Sequence, residues 1–146
     1  MKVFFDTVGC RLNQAEIEEM AGKLRQAGHE IVAQAEGADT VIINSCAVTA
    51  AASSDSRQKV RQAYHEGINN IILTGCWATL YPQQAAALDG VTSVVENIEK
   101  MNIPAQFINP SDNLMDLEPI SRQPIPGIHH RTRAFIKVQD GCDNVC

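Results

Sequence analysis

With 146 residues, 45% of them hydrophobic and 20% charged, the chain has the composition of one ordinary globular domain able to bury a real core. No apolar run approaches the roughly 18–20 residues that a membrane span needs. Asp6 also interrupts the first apolar stretch where a secretory leader would need continuity, so a cytoplasmic location is expected. The net charge of −5 is uneven: residues 1–118 hold 8 basic and 15 acidic groups, whereas 119–138 hold four basic and no acidic ones. Phosphate contacts dominate nucleic-acid affinity, so any grip on RNA has to come from a local patch or from another part of the protein.

Taken in order, Val3–Cys10 reads VFFDTVGC, a β-rich run ending in glycine and cysteine. In the segment that follows, Ile17, Met20, Ala21 and Leu24 fall at i, i+3, i+4 and i+7, the stripe of an amphipathic helix. Asn13 with Glu16 is read as a capping pair and Gly28 as the stop. A short strand is expected over His29–Val32. The run TVIINSC at Thr40–Cys46 has the unbroken apolar character of a strand buried on both faces. Thr49 then suits the cap of a helix reaching Gly67, with Val60, Ala63 and Tyr64 as its buried stripe. On this helix Arg57 and Arg61 share a face, either solvated or available to an anionic ligand or RNA phosphate.

NIILTGC at Asn70–Cys76 repeats the strand–small–cysteine pattern. Pro82 suits the first turn of a helix to Leu88 with Gly90 as its stop, followed by a strand over Val91–Val95 and a short helix over Asn97–Met101. Alternating strands and helices of this kind predict an α/β fold, an open and mostly parallel sheet with helices on both faces. Residues 104–130 contain five of the six prolines, a composition that blocks helix and ladder alike. RTRAFIKV at Arg131–Val138 returns to strand-like alternation before QDGCDNVC. The chain therefore divides into a domain over 1–103, a linker over 104–130 and the start of a second domain over 131–146. His129 and His130, in the linker, are read as solvated.

The cysteines carry the chemistry. Five of them, an odd number, with no secretory leader expected, point to metal ligation or reactive thiols over a disulfide framework. Cys10, Cys46 and Cys76 each follow an apolar strand and one small residue (Gly9, Ser45 and Gly75) and each lead toward a helix. In a parallel sheet all strand ends lie along one edge, where ligands bind, so three thiols with 35 and 29 residues between them are expected to meet in space. Three sulfurs there suit an iron–sulfur cluster, and on a four-iron cluster they leave one iron open. Helix starts beside them favour thiolate, while Gly9 and Gly75, without a Cβ, are expected to let the backbone pass close to an inorganic core. Asn13, Asn44, Ser45, Thr49 and Thr74 are candidates for hydrogen bonds that tune such sulfurs. Trp77 is either a shield for that edge or ordinary packing, and Asp6 either faces the cleft or closes a turn. Cys142 and Cys146, spaced C-x3-C, match the first two positions of a C-x3-C-x2-C loop.

The blocks VGCRLNQAE, NSCAVTAAASSDSRQKVRQA, TGCWA and RAFIKVQDGCDNVC, in this order, resemble the radical S-adenosylmethionine methylthiotransferase family over essentially all 146 residues. The resemblance implies that Cys10, Cys46 and Cys76 hold an auxiliary [4Fe-4S] cluster that delivers sulfur. It also implies that Cys142 and Cys146 are two of three ligands of a second [4Fe-4S] cluster, at which S-adenosyl-L-methionine is reductively cleaved. The implied partners are tRNA and an electron donor, with neither membrane nor DNA. NSCAVT with the following SRQ, and GCRLNQ, are most similar to the members that methylthiolate N6-threonylcarbamoyladenosine beside the anticodon. The near alternatives act on isopentenyladenosine in tRNA or on a ribosomal protein, and a 146-residue piece is expected to be inactive alone. Two other classes stay open: a flavodoxin-like or iron–sulfur electron-transfer module, for which VGCRLNQ lacks a hydroxyl- and glycine-rich phosphate loop, and an α/β interaction domain with inert thiols.

Overall fold

The computed structural model describes residues 1–108. Five strands form one sheet: β1 (Lys2–Thr7), β2 (Glu30–Val32), β3 (Thr40–Ser45), β4 (Ile71–Gly75) and β5 (Val91–Val94). Between them run α1 (Arg11–Gln26), α2 (Ala50–His65), α3 (Cys76–Leu80) and α4 (Pro82–Ala86), and a 3-10 helix (Lys100–Gln106) follows β5. The strand order is β2-β1-β3-β4-β5 and every pairing is parallel. The sheet is thus wholly parallel where a mostly parallel one was expected. It is doubly wound, and the chain reverses its direction of travel across the sheet between β1 and β3.

Parallel pairing explains the burial. Every residue of β3 and β4 is buried, because helices cover both faces of a parallel sheet. Val3, Phe5, Ile42 and Ile72 point to the side packed by Ile17, Met20, Ala21 and Leu24 of α1 and by Ile103. Val41, Ile43, Ile71 and Leu73 point to the opposite side, against Val60, Ala63, Trp77 and Ala85. The period of two along each strand divides its apolar residues between two cores.

The helix ends follow the sequence closely. Gly28 closes α1 at φ +81°, with its N–H on the Arg25 carbonyl and that of His29 on the Leu24 carbonyl, the paired bonds of a glycine-terminated helix. Gly67 repeats the arrangement after α2. Thr49 caps α2, its Oγ1 accepting from the Ala52 N–H at 3.1 Å.

Four local expectations are corrected. Asn13 and Glu16 do not cap α1, whose N-cap is Cys10 without a side-chain bond; both side chains turn inward because the polar atoms they meet there need partners. Tyr64 is 39% exposed, and Ser56 takes the inward place on α2, since the stripe rotates toward Cys46. The helix expected from Pro82 to Leu88 ends at Ala86 and is preceded by α3, which starts on Cys76 itself. The short helix after β5 lies at Lys100–Gln106 with Pro104 inside it, and Ile103 and Pro104 are buried. Residues 109–146, including His129, His130, Cys142, Cys146 and the expected strand at 131–138, lie outside the described residues.

Candidate metal centre at the carboxyl edge of the sheet

The register determines where the cysteines fall. Thr7 pairs with Asn44, Ser45 with Gly75, and the Val8 N–H extends the ladder to the Asn44 carbonyl at 3.0 Å. Cys46 and Cys76 therefore leave adjacent strands directly after register partners, and Cys10 leaves the next strand over. The three positions share the carboxyl edge around the β1/β3 reversal, where ligands bind in folds of this type.

The thiols differ in access. Cys10 is exposed, Cys76 is intermediate and Cys46 is 2% exposed. All three are free of disulfides. The Cys76 thiol has its pKa raised above the ordinary value by burial; the Lys100 ammonium acts the other way, while Cys46, Cys10 and Glu16 add to the rise. Cys46 and Cys10 thus both lie within electrostatic reach of Cys76. Among the described residues no three His, Cys, Asp or Glu side chains converge on a point as ligands of a single metal ion. The donor set, three soft sulfurs on separate turns, fits a polynuclear iron–sulfur group, in which each thiolate takes its own iron.

Two glycines hold the turns together. Gly9 (φ +100°) would place a Cβ 2.5 Å from Cys46 Sγ, and Gly75 (φ +93°) would drive one into the Ser45 backbone and Asn44 Oδ1. Both are required by positive φ and by contact between turns, where the expectation was room for an inorganic core. Asn44 Oδ1 is the buried side-chain oxygen left without a hydrogen bond among the described residues. It lies against the bare Cα of Gly75, the setting of a weak C–H···O contact.

Beneath the edge runs a buried polar network. Asn13 Nδ2 donates to the Val8 carbonyl at 2.9 Å and the Ser45 carbonyl at 3.2 Å. Asn44 Nδ2 donates to the Asn13 carbonyl and to Glu16 Oε2, each at 3.2 Å. Ser45 Oγ donates to the Thr74 carbonyl at 2.5 Å and accepts from the Ala78 N–H at 3.1 Å. Thr74 Oγ1 donates to the Val95 carbonyl at 2.8 Å. Of the five polar candidates, Asn13, Asn44, Ser45 and Thr74 lie in or beside this network, whereas Thr49 spends its hydroxyl on capping α2.

Glu16, Ser56 and Lys100 were not anticipated. The Cys46 N–H donates to Ser56 Oγ at 3.1 Å, and that hydroxyl donates to the Ala52 carbonyl at 2.8 Å. Glu16 and Lys100, 1% and 2% exposed, form an ion pair through Oε2 and Nζ. The available signal was Glu16 standing four residues before Met20, in line with the apolar stripe. The remaining candidates have ordinary roles. Trp77 is core, with the Arg57 guanidinium 5.6 Å from its ring centroid, and Arg61 is exposed. Asp6 accepts from the Thr7 N–H at 2.8 Å and holds Lys59 Nζ at 2.6 Å through both oxygens. That pair lines a groove of about 480 Å³ that no cysteine borders.

No helix of the described residues is long and apolar enough to cross a membrane. Among curated proteins the chain is similar to the threonylcarbamoyladenosine tRNA methylthiotransferase MtaB of Bacillus subtilis (34% identity over 99% of this chain and 34% of the relative). It is similar also to that of Aquifex aeolicus (33% identity, 100% and 38%). The ribosomal protein uS12 methylthiotransferase RimO of Chloroflexus aurantiacus is 28% identical over 100% of this chain and 37% of the relative. The chain spans about a third of the length of these relatives. A family model described as "Uncharacterized protein family UPF0004" matches residues 2–96. The wholly parallel sheet with its cysteine-bearing edge is therefore that of a member of the UPF0004 family, and the resemblance to methylthiotransferases read from the four sequence blocks holds at the level of the family.

Proposed function

We propose that this chain is the auxiliary-cluster portion of a tRNA methylthiotransferase, with Cys10, Cys46 and Cys76 as ligands of a [4Fe-4S] cluster. The substrate is N6-threonylcarbamoyladenosine beside the anticodon, which the full protein converts to its 2-methylthio derivative. When bound, the cluster supplies the sulfur to be transferred. This chain's own residues hold three thiolates at one edge, that of Cys46 buried and that of Cys10 open to the surface. Cys142 and Cys146 are two ligands of a second [4Fe-4S] cluster, where S-adenosyl-L-methionine and an electron donor act, and tRNA is the macromolecular partner. Without the remaining two-thirds of the protein the chain is inactive.

The observation that carries the reading is the register: Ser45 opposite Gly75 and Thr7 opposite Asn44 put three cysteines on neighbouring turns. Threonylcarbamoyladenosine as substrate is favoured by relatives of that name at 33–34% identity, against 28% for the uS12 enzyme.

The test is anaerobic reconstitution with iron and sulfide in a Cys142→Ser/Cys146→Ser background. About four irons per chain are expected, as for one [4Fe-4S] cluster, and Cys46→Ala should lose most of them. Full iron content in Cys46→Ala overturns the ligand assignment. For the substrate, nucleosides of tRNA from cells lacking the full-length protein should lose 2-methylthio-N6-threonylcarbamoyladenosine. Loss of the isopentenyl derivative, or of methylthiolation on uS12, would assign the alternative substrate.

A further inference from the structure

Lys100 stands where two chains of polar contacts meet, and each chain ends at a cysteine-bearing turn. On one side Lys100 Nζ donates to Asn97 Oδ1 at 2.7 Å, the Asn97 N–H donates to Thr79 Oγ1 at 2.8 Å, and Thr79 Oγ1 donates to the Gly75 carbonyl at 2.9 Å. Gly75 immediately precedes Cys76. On the other side Lys100 pairs with Glu16, whose Oε2 also accepts from Asn44 Nδ2. The Asn44 amide continues to the Asn13 carbonyl, and Asn13 Nδ2 reaches Val8 and Ser45, two residues before Cys10 and one before Cys46. One buried ammonium from the last described element thus connects all three turns.

A buried charge pair is weak evidence for stability, because desolvation offsets most of its attraction. A lysine at 2% exposure therefore calls for a specific role, and a chain of directional bonds ending at three cysteine-bearing turns supplies one. We propose that Lys100, acting through Glu16 and Asn97, is a positioning residue that sets the mutual spacing of Cys10, Cys46 and Cys76. The spacing role stands on geometry alone; its consequence for a bound cluster rests on the cluster reading above.

The experiment compares Lys100→Met, Lys100→Arg and the charge-neutral double variant Glu16→Gln/Lys100→Met with the parent chain, all in the Cys142→Ser/Cys146→Ser background. Spacing is read in the metal-free protein as the yield of Cys10–Cys76 cross-link with a short bifunctional maleimide, with far-ultraviolet circular dichroism as the check on folding. Lys100→Met should lower the yield at least threefold and Lys100→Arg should restore it. The double variant, which leaves no bare charge, should fold like the parent and still show the loss. A parent-like yield in folded Lys100→Met, or in the double variant, overturns the proposal. Where Lys100→Met does not fold, the double variant decides. After reconstitution, the electron paramagnetic resonance line shape of the reduced cluster should change in the double variant and return toward the parent in Lys100→Arg. A parent that takes up no iron sinks the cluster reading alone, because the cross-link comparison still decides the spacing role.

Discussion

Gly9 lies so close to Cys46 that a Cβ on the glycine would sit 2.5 Å from the cysteine sulfur. The turn carrying Cys10 is thereby pressed onto the cysteine that follows β3, and two of the three thiol-bearing segments are in direct contact before any ligand arrives. Gly9→Ala has two costs, a positive φ that L-residues resist by roughly 1–2 kcal/mol and displacement of Cys46. We expect a loss of about 2 kcal/mol or more in urea unfolding, a size reserved for specific structural damage, together with reduced iron uptake. An unchanged unfolding midpoint would contradict the contact.

Thr49 provides the opposite control. Its hydroxyl caps α2, so Thr49→Ala should lower stability by about 1 kcal/mol, and Thr49→Asp should recover it. Iron content after reconstitution should equal that of the parent. A Thr49→Ala protein with parent stability and altered cluster spectra would move Thr49 back among the groups that tune sulfur.

The Lys59–Asp6 pair is partly exposed, 34% and 23% at the two side chains, so solvent screens it. Lys59→Met should cost about 0.5–1 kcal/mol at low salt, and the difference from the parent should shrink in 1 M sodium chloride as screening removes the attraction. Thermal unfolding at two salt concentrations measures this. A salt-independent difference would mean that the lysine stem, packed along α2, matters more than its charge.

Burial raises the Cys76 thiol above its ordinary value, with Cys46, Cys10 and Glu16 adding to the rise against the pull of Lys100. The sign follows from linkage. The folded state holds this proton more tightly than the unfolded state, so the contribution is fully present below the unfolded value. It is lost as pH rises through the folded one. Stability of the metal-free chain should therefore fall above about pH 9, and Cys76→Ala should flatten that decline in urea titrations at pH 7.5 and 9.5. Cluster assembly must release this proton, so reconstitution should proceed more readily at pH 8.5 than at 7. Parallel pH profiles for parent and variant would contradict the assignment.

Much of the fold was legible because local physics writes it into neighbouring residues. Val41–Ile43 without polar interruption read as a strand covered on both faces, and Ile17, Met20, Ala21 and Leu24 as one side of a helix, and both form. Gly28 and Gly67 marked helix ends because positive φ costs glycine nothing. The strand–small–cysteine pattern at residues 10, 46 and 76 predicted a shared edge for the same reason. One error lay where a polar side chain had two uses: Asn13 and Glu16 have the spacing of a cap, yet both are drawn inward by buried partners elsewhere in the fold; the others were a helix stripe and helix bounds that packing against distant segments moved.

Local sequence patterns gave away the strands, the two long helices, the α/β class of the sheet and three cysteines in equivalent positions after strands. Only the tertiary structure decided that Ser45 stands opposite Gly75, that Gly9 touches Cys46, and that Glu16 finds Lys100 from the far end of the packed body. Register and side-chain pairing across the sheet depend on contacts between residues distant along the chain, and no periodicity within one segment records which distant residue will satisfy a buried charge.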